Sequence, residues 1–387
     1  MITVSRRVLI VLVALLLLSS VGTGLVAAQE EEAGEGGEGG ELLEVSGLAA
    51  VATLLVGSLV LLASIELLIH ALIRTALRFG VSAFVLAVIF SGWEFDNVAF
   101  GLFTGFAEMQ NVAFGLAIGN SVSIFGMTLA LGALAVPFVV DVPKDYLLMM
   151  VASPVLLIPP LLSGSLTPAL SVMFIFVYLM IFGYILWRES RMDRTFMESD
   201  EVKEVIAAAD GKGEVTTGLP SYVPGALQRL TERRWFWPAM LLVGIAGIVV
   251  GAEGAATGVE GIQATWNLTG TFIGVTLVTV LLTLDDLLLI IEPLRLGYYD
   301  IAVGGVIGSL LFFVTANVGI IGLVGTIHFR WETVFFHLPS LFVFTGLAGY
   351  FLWKGEMSRR HGALLLGMYV LYLAINIRYF ATLPVEG

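Results

Sequence analysis

Three aspartates stand inside long apolar runs. Asp96 interrupts a run over 82–106, and Asp285 and Asp286 interrupt another over 270–292. An ionised carboxylate in hydrocarbon costs about 3 kcal/mol or more, so such groups face a cavity, a bound cation or one another. With Glu94 as a fourth acid and Asn97 supplying a neutral carbonyl oxygen, the set suits a hard cation such as Ca²⁺. That ion takes about six to eight oxygen ligands, largely carboxylates and carbonyls. Softer metals prefer imidazole or thiolate, and here cysteine is absent and the four histidines are scattered. Asn120, Ser309, Thr283 and Ser123 offer further oxygens, with helix-to-helix hydrogen bonding as the competing role. Glu66, His70, Glu253 and Glu260 lie in other apolar runs, where gating, proton-linked and structural roles all stay open.

The elements that hold these residues are membrane spans. Hydrophobic residues make up 58% of the 387 and charged residues 13%, whereas a soluble chain carries about a quarter charged. Mean hydropathy is +0.96, and the length suffices for about ten helices of about 20 residues. The net charge of -12 disfavours nucleic acid as a partner. Arg6 and Arg7 precede an apolar core from Val8 to Leu18 and a small-residue stretch ending at Ala28, so 1–28 reads as a signal peptide or signal anchor. The acidic Gly/Glu-rich segment 29–46 follows as a solvated extracellular tail.

Ten spans are expected: 47–73, 82–106, 112–139, 146–163, 167–187, 236–260, 270–292, 301–325, 333–353 and 362–380. With residue 30 outside, Arg74, Arg78, Lys144, Arg295, Lys354, Arg359, Arg360 and every basic residue of 188–235 fall inside. Only Arg330 and Arg378 of the mature chain fall outside, which is the bias the positive-inside rule demands. Both mature termini are thus expected outside a cell membrane, with 188–235 as a cytoplasmic linker.

Five spans precede the linker and five follow, and the two sets resemble each other at an offset of 189 positions. Asn111, Gly115, Gly119 and Asn120 fall over Asp300, Gly304, Gly308 and Ser309, and Asp96-Asn97 falls over Asp285-Asp286. An odd number of spans per half inverts the second copy. The expected fold is therefore an all-α polytopic membrane protein of two inverted five-helix repeats, 47–187 and 236–380, the architecture of many secondary transporters. Gly115 with Gly119 and Gly304 with Gly308 have the small-x-x-x-small spacing that lets helices approach closely in lipid.

Several stretches carry a family resemblance. Gly251 to Glu253, Gly270 to Val278, Leu284-Asp285-Asp286 and Gly304 to Ser309 resemble one alpha-repeat of the sodium/calcium exchanger family, in the calcium/cation antiporter superfamily. Gly92 to Asn97 and Gly115 to Asn120 resemble the other copy. The resemblance implies ten spans in two inverted halves and cation antiport. The family's Gly-Thr-Ser-x-Pro-Glu signature is altered. Its ion-binding glutamates correspond to Asn97 and Asp286, its prolines to Asp96 and Asp285, and its serines to Glu94 and Thr283. Trp93 and Leu282 replace its threonines. Further family ligands four residues beyond Asn120 and Ser309 are replaced by Ile124 and Phe313. Loss of the prolines removes the usual cause of a helix break, for which Gly92 is a substitute in the first copy and nothing in the second.

The expected activity is secondary active antiport of Ca²⁺ for Na⁺ or H⁺ through a mid-membrane carboxylate site, with Na⁺/H⁺ exchange on the same scaffold as the alternative and a passive cation channel behind it. An intramembrane aspartyl protease is disfavoured, since the Gly-x-Gly-Asp half of that signature is missing. No enzymatic activity, prosthetic group or obligate protein partner is implied; the partners are inorganic cations and the bilayer.

Overall fold

Without water, a spanning backbone must satisfy its own polar groups, and helices do so within one segment. The structure, a computed structural model, describes residues 45–78, 94–189, 191, 235–330 and 333–382. These fall into two compact units.

The first unit is built from α1 (Gly47–Arg78) and α8 (Phe236–Trp266). A glycine stripe on α8 lets the pair approach backbone to backbone. Gly244 meets Leu68, Gly247 meets Ser64, Gly251 meets Leu61 and Gly258 meets Leu54. Contacts that descend α1 while ascending α8 make the pair antiparallel. The far end is tied by the Gly47 N–H, which donates to Thr265 Oγ1 at 2.8 Å.

The second unit holds the rest. It begins with α2 (Phe95–Phe106) and α3 (Gln110–Ser123), the latter running through a π-helical turn at Ile124–Leu129 into α4 (Ala130–Ala135). Next come β1 (Phe138–Val139), α5 (Lys144–Ala152), α6 (Ile158–Ser163), β2 (Ser165–Leu166) and α7 (Pro168–Glu189). Beyond α8, α9 (Gly270–Ile273) passes through a π-helical Gly274–Val278 into α10 (Thr279–Leu296). Then α11 (Tyr299–Phe312) passes through a π-helical Phe313–Asn317 into α12 (Val318–Val324). The unit closes with β3 (Ile327–His328), a π-helical Thr333–His337 leading into α13 (Leu338–Trp353), β4 (Glu356–Met357) and α14 (Arg359–Tyr379).

Its short strands pair antiparallel across the sequence halves, β1 with β4 and β2 with β3. They are a small departure from the expected all-α chain. At the core, Gly274 lies against Val112 and Leu116, while Gly115 and Gly119 face Thr271 and Val275. A methyl group at Gly115 would stand 2.7 Å from the Thr271 carbonyl oxygen. Of the two small-residue pairs, Gly115 with Gly119 thus packs as expected. The segment matching Gly274 at the 189 offset, around 85, lies outside the described residues.

Eight helices among the described residues are long and apolar enough to cross a membrane, and these match all expected spans but 82–106 and 270–292. The chain is a multi-pass membrane protein. Span 82–106 does not run as one helix. Glu94 has φ -92 and ψ 83, outside the helical region, and α2 starts after it. Asp96 therefore occupies the first turn of a helix instead of the middle of one, where the partial positive charge of the N-terminus favours an anion. In the second copy the chain stays helical through Asp285 and Asp286, and its irregularity is the π-helical turn upstream. The signal segment 1–28, nearly all of 29–46 and of the 188–235 linker, Gly92 and Trp93 lie outside the described residues.

Candidate functional site

α2, α3 and α10 deliver the polar side chains to one buried place in the second unit. Asn97, fully buried, donates from Nδ2 to Asp96 Oδ1 at 3.1 Å. Its own Oδ1 accepts from Nδ2 of Asn120, on α3. The Asn120 carbonyl accepts from Thr283 Oγ1 of α10 at 3.5 Å, and Thr283 shares a 2.9 Å hydrogen bond with Ser123 Oγ. Ser123 also donates to the Asn120 main-chain carbonyl at 3.2 Å. Asp286 follows Thr283 by three positions and so shares its helix face; it is buried at 6% exposure, as Asp96 is at 7%. Ser309 of α11 donates to Glu94 Oε1.

The result is a continuous run of oxygens from Asp96 through two amides to two hydroxyls, drawn from both halves of the sequence. Sequence reasoning nominated all of these residues. The structure joins Asp96, Asn97, Asn120, Thr283 and Ser123 directly, and pairs Glu94 with Ser309. Asp285 lies on α10, and its side chain is outside the described residues. Among the described residues, which exclude the Asp285 side chain, no three histidine or acidic side chains stand together as a metal-holding group. The amides and hydroxyls therefore dominate the described part of the site. At Ile124 and Phe313 the side chains are buried and apolar, so no oxygen enters from those positions.

Two polar residues near the site escaped the sequence reading. Thr128 and Asn317 are completely buried, and among the described residues the Thr128 hydroxyl and both amide atoms of Asn317 lack a hydrogen-bond partner. The signal was present, since extending the 189 offset past the glycine pairs lays one over the other. A second network joins α5 and α7, where Tyr146 donates to Glu189 at 2.6 Å and Arg188 pairs with Asp145 at 3.2 Å.

Comparison with known proteins agrees with this architecture. Residues 236–378 match the family described as "Sodium/calcium exchanger protein". An uncharacterized membrane protein of Methanocaldococcus jannaschii is 23% identical over 315 residues, covering 78% of this chain and 89% of its own. The sodium/calcium exchanger MaX1 of Methanosarcina acetivorans is 29% identical over 136 residues, 35% of this chain and 39% of that protein. Among solved structures, the H⁺/Ca²⁺ exchanger CAX superposes with a TM-score of 0.63 over 97% of this chain and 91% of its own, at 12% identity. That likeness is one of fold.

Proposed function

We propose that the chain, whose residues 236–378 match the sodium/calcium exchanger family, is a calcium/cation antiporter that exchanges Ca²⁺ for Na⁺ or H⁺ by alternating access. The carrying observation is the buried run from Asp96 through Asn97 and Asn120 to Thr283, in which the two sequence halves share one set of hard oxygen donors. Asp96, Asn97, Asp285, Asp286, Glu94, Asn120, Thr283 and Ser309 are the proposed ligands. Ions bound there are cargo, and desolvating them requires oxygens that replace their water.

The inverted arrangement of 47–187 and 236–380 draws support from strand pairing and helix direction. If both halves entered from the same side, β1 and β3, which each follow the third span of a half, would lie on one membrane face. Instead β1 pairs with β4 and β2 with β3. The antiparallel α1 and α8, the first spans of the two halves, support it too. The β1–β4 end carries Lys144, whose Nζ lies 5.3 Å from the Trp353 ring centre, and Lys354. This basic end supports assigning it, and the 188–235 linker, to the cytoplasm, with the termini outside the cell membrane.

Na⁺/H⁺ exchange is the second reading. It is favoured by the apolar Ile124 and Phe313, which withdraw two oxygen positions from the site. Radioactive Ca²⁺ uptake into proteoliposomes, driven separately by outward Na⁺ and H⁺ gradients, decides between them. Uptake under either gradient is the expected result, and the gradient that works names the counter-ion. Folded protein showing no Ca²⁺ uptake under both gradients, but Na⁺ flux driven by H⁺, would select the second reading.

A further inference from the structure

Asn317 ends the π-helical turn between α11 and α12 and has no solvent exposure, yet neither its Oδ1 nor its Nδ2 meets a partner among the described residues. A buried amide in that condition is costly, and buried polar groups in native proteins are nearly always satisfied. Its carbonyl is turned towards α2, because Oδ1 lies 3.8 Å from the point where a Cβ on Gly101 would stand. Glycine there lets α12 approach the α2 backbone, with Ile321 beside it. Gly101 follows Asn97 by four positions on the same face, a rise of about 6 Å. The Asn317 Oδ1 thus lies beside the α2 backbone one turn beyond Asn97, and Asn317 follows the apolar Phe313 by one turn.

We propose that Asn317 forms, with Asn97, a neutral subsite for a partly hydrated Na⁺ ion, displaced by one helical turn from the position that Phe313 fills. The Oδ1 atom is a hard ligand for the ion, and the Nδ2–H groups donate to its remaining water. The two ligands are themselves neutral amides. The Asp96 carboxylate accepts from the Asn97 Nδ2, and beyond Asn97 the buried α2 residues Phe100, Gly101, Thr104 and Gly105 include no carboxylate. A neutral ligand set of this kind suits a monovalent ion, whereas Ca²⁺ is bound largely through carboxylates. Thr128, the counterpart of Asn317 at the 189 offset, is also buried without a partner. On that side, however, Ile290 stands where Gly101 would, packed against Gly132. The subsite is therefore assigned to Asn317 alone. The inference rests on the cation-antiport reading and adds a Na⁺ site to it.

The test is thermal unfolding of the purified protein in detergent, titrated with Na⁺ or with Ca²⁺ against a choline background. Wild type is expected to be stabilised by both ions. Asn317→Leu, which removes the unpaired amide at nearly constant volume, is expected to raise the half-effective Na⁺ concentration at least tenfold and to leave the Ca²⁺ response intact. An unchanged Na⁺ response overturns the subsite while leaving Ca²⁺ binding standing. If that variant loses the Ca²⁺ response as well, Asn317→Asp decides: the added charge is expected to lower the half-effective Na⁺ concentration, and no change overturns the subsite. Wild type that responds to neither ion overturns the subsite together with the antiport reading.

Discussion

At the residue scale, the site is held by amides that act in two directions. Asn120 donates to Asn97 and accepts from Thr283, so one side chain links three helices. Replacing it by leucine leaves the Asn97 carbonyl without its donor, at a cost of about 1–3 kcal/mol. Asn120→Leu is therefore expected to unfold at lower temperature than wild type and to lose cation-dependent stabilisation, both read from one thermal titration. Unaltered stability and cation response together would show that the amide bridge is dispensable. The acids were legible in the sequence because charge in an apolar run is expensive and hence rare. Asn317 passed unread although the 189 offset lays it over Thr128, since a neutral amide carries no charge to mark it until burial and missing partners single it out.

At the element scale, glycines set how closely the helices approach. Gly115 lies against the Thr271 main chain, and a larger residue there must push α3 from α9 and its π-helical extension. Overpacking of this kind costs about 1–3 kcal/mol. Gly115→Leu is expected to lower stability and Ca²⁺ uptake together, whereas Gly183→Leu on α7, where a side chain meets open space, is expected to leave both near wild type. Equal behaviour of the two variants in denaturation would contradict this packing role. Most helices were legible from hydropathy alone, and the Gly115–Gly119 spacing gave one of their close contacts. The non-helical Glu94 lies two residues after Gly92, the expected substitute for the missing proline, although the span itself was read as continuous. The π-helical turns left no mark, since they depend on the fit between packed helices and not on local propensity.

At the scale of the whole molecule, the 189-position offset carried the most information. It matches Asn120 with Ser309 and Glu94 with Thr283, so the contacts Asn120–Thr283 and Ser309–Glu94 are counterparts of one another. The pairing of β1 with β4 and β2 with β3 was invisible, because strands of two residues have no periodicity to detect. Those pairs give a direct test of topology in a chain with no native cysteine. Single cysteines at Val139 and Glu356 are expected to react with an impermeant thiol reagent from the cytoplasmic face, and those at Ser165 and His328 from the other face. Labelling of Val139→Cys and His328→Cys from one common face would contradict the inverted arrangement.

The proposed Ca²⁺ carrier is the buried set of carboxylates and amides, exchanging that ion for another cation. The most direct measurement is gradient-driven Ca²⁺ uptake into proteoliposomes by wild type and by Asp286→Asn, at matched amounts of folded protein. Wild type is expected to accumulate Ca²⁺ only while the counter-ion gradient lasts. The variant is expected to fall at least about tenfold, equivalent to about 1.4 kcal/mol. Uptake by Asp286→Asn equal to that of wild type, or wild-type uptake indifferent to the gradient, would contradict the account.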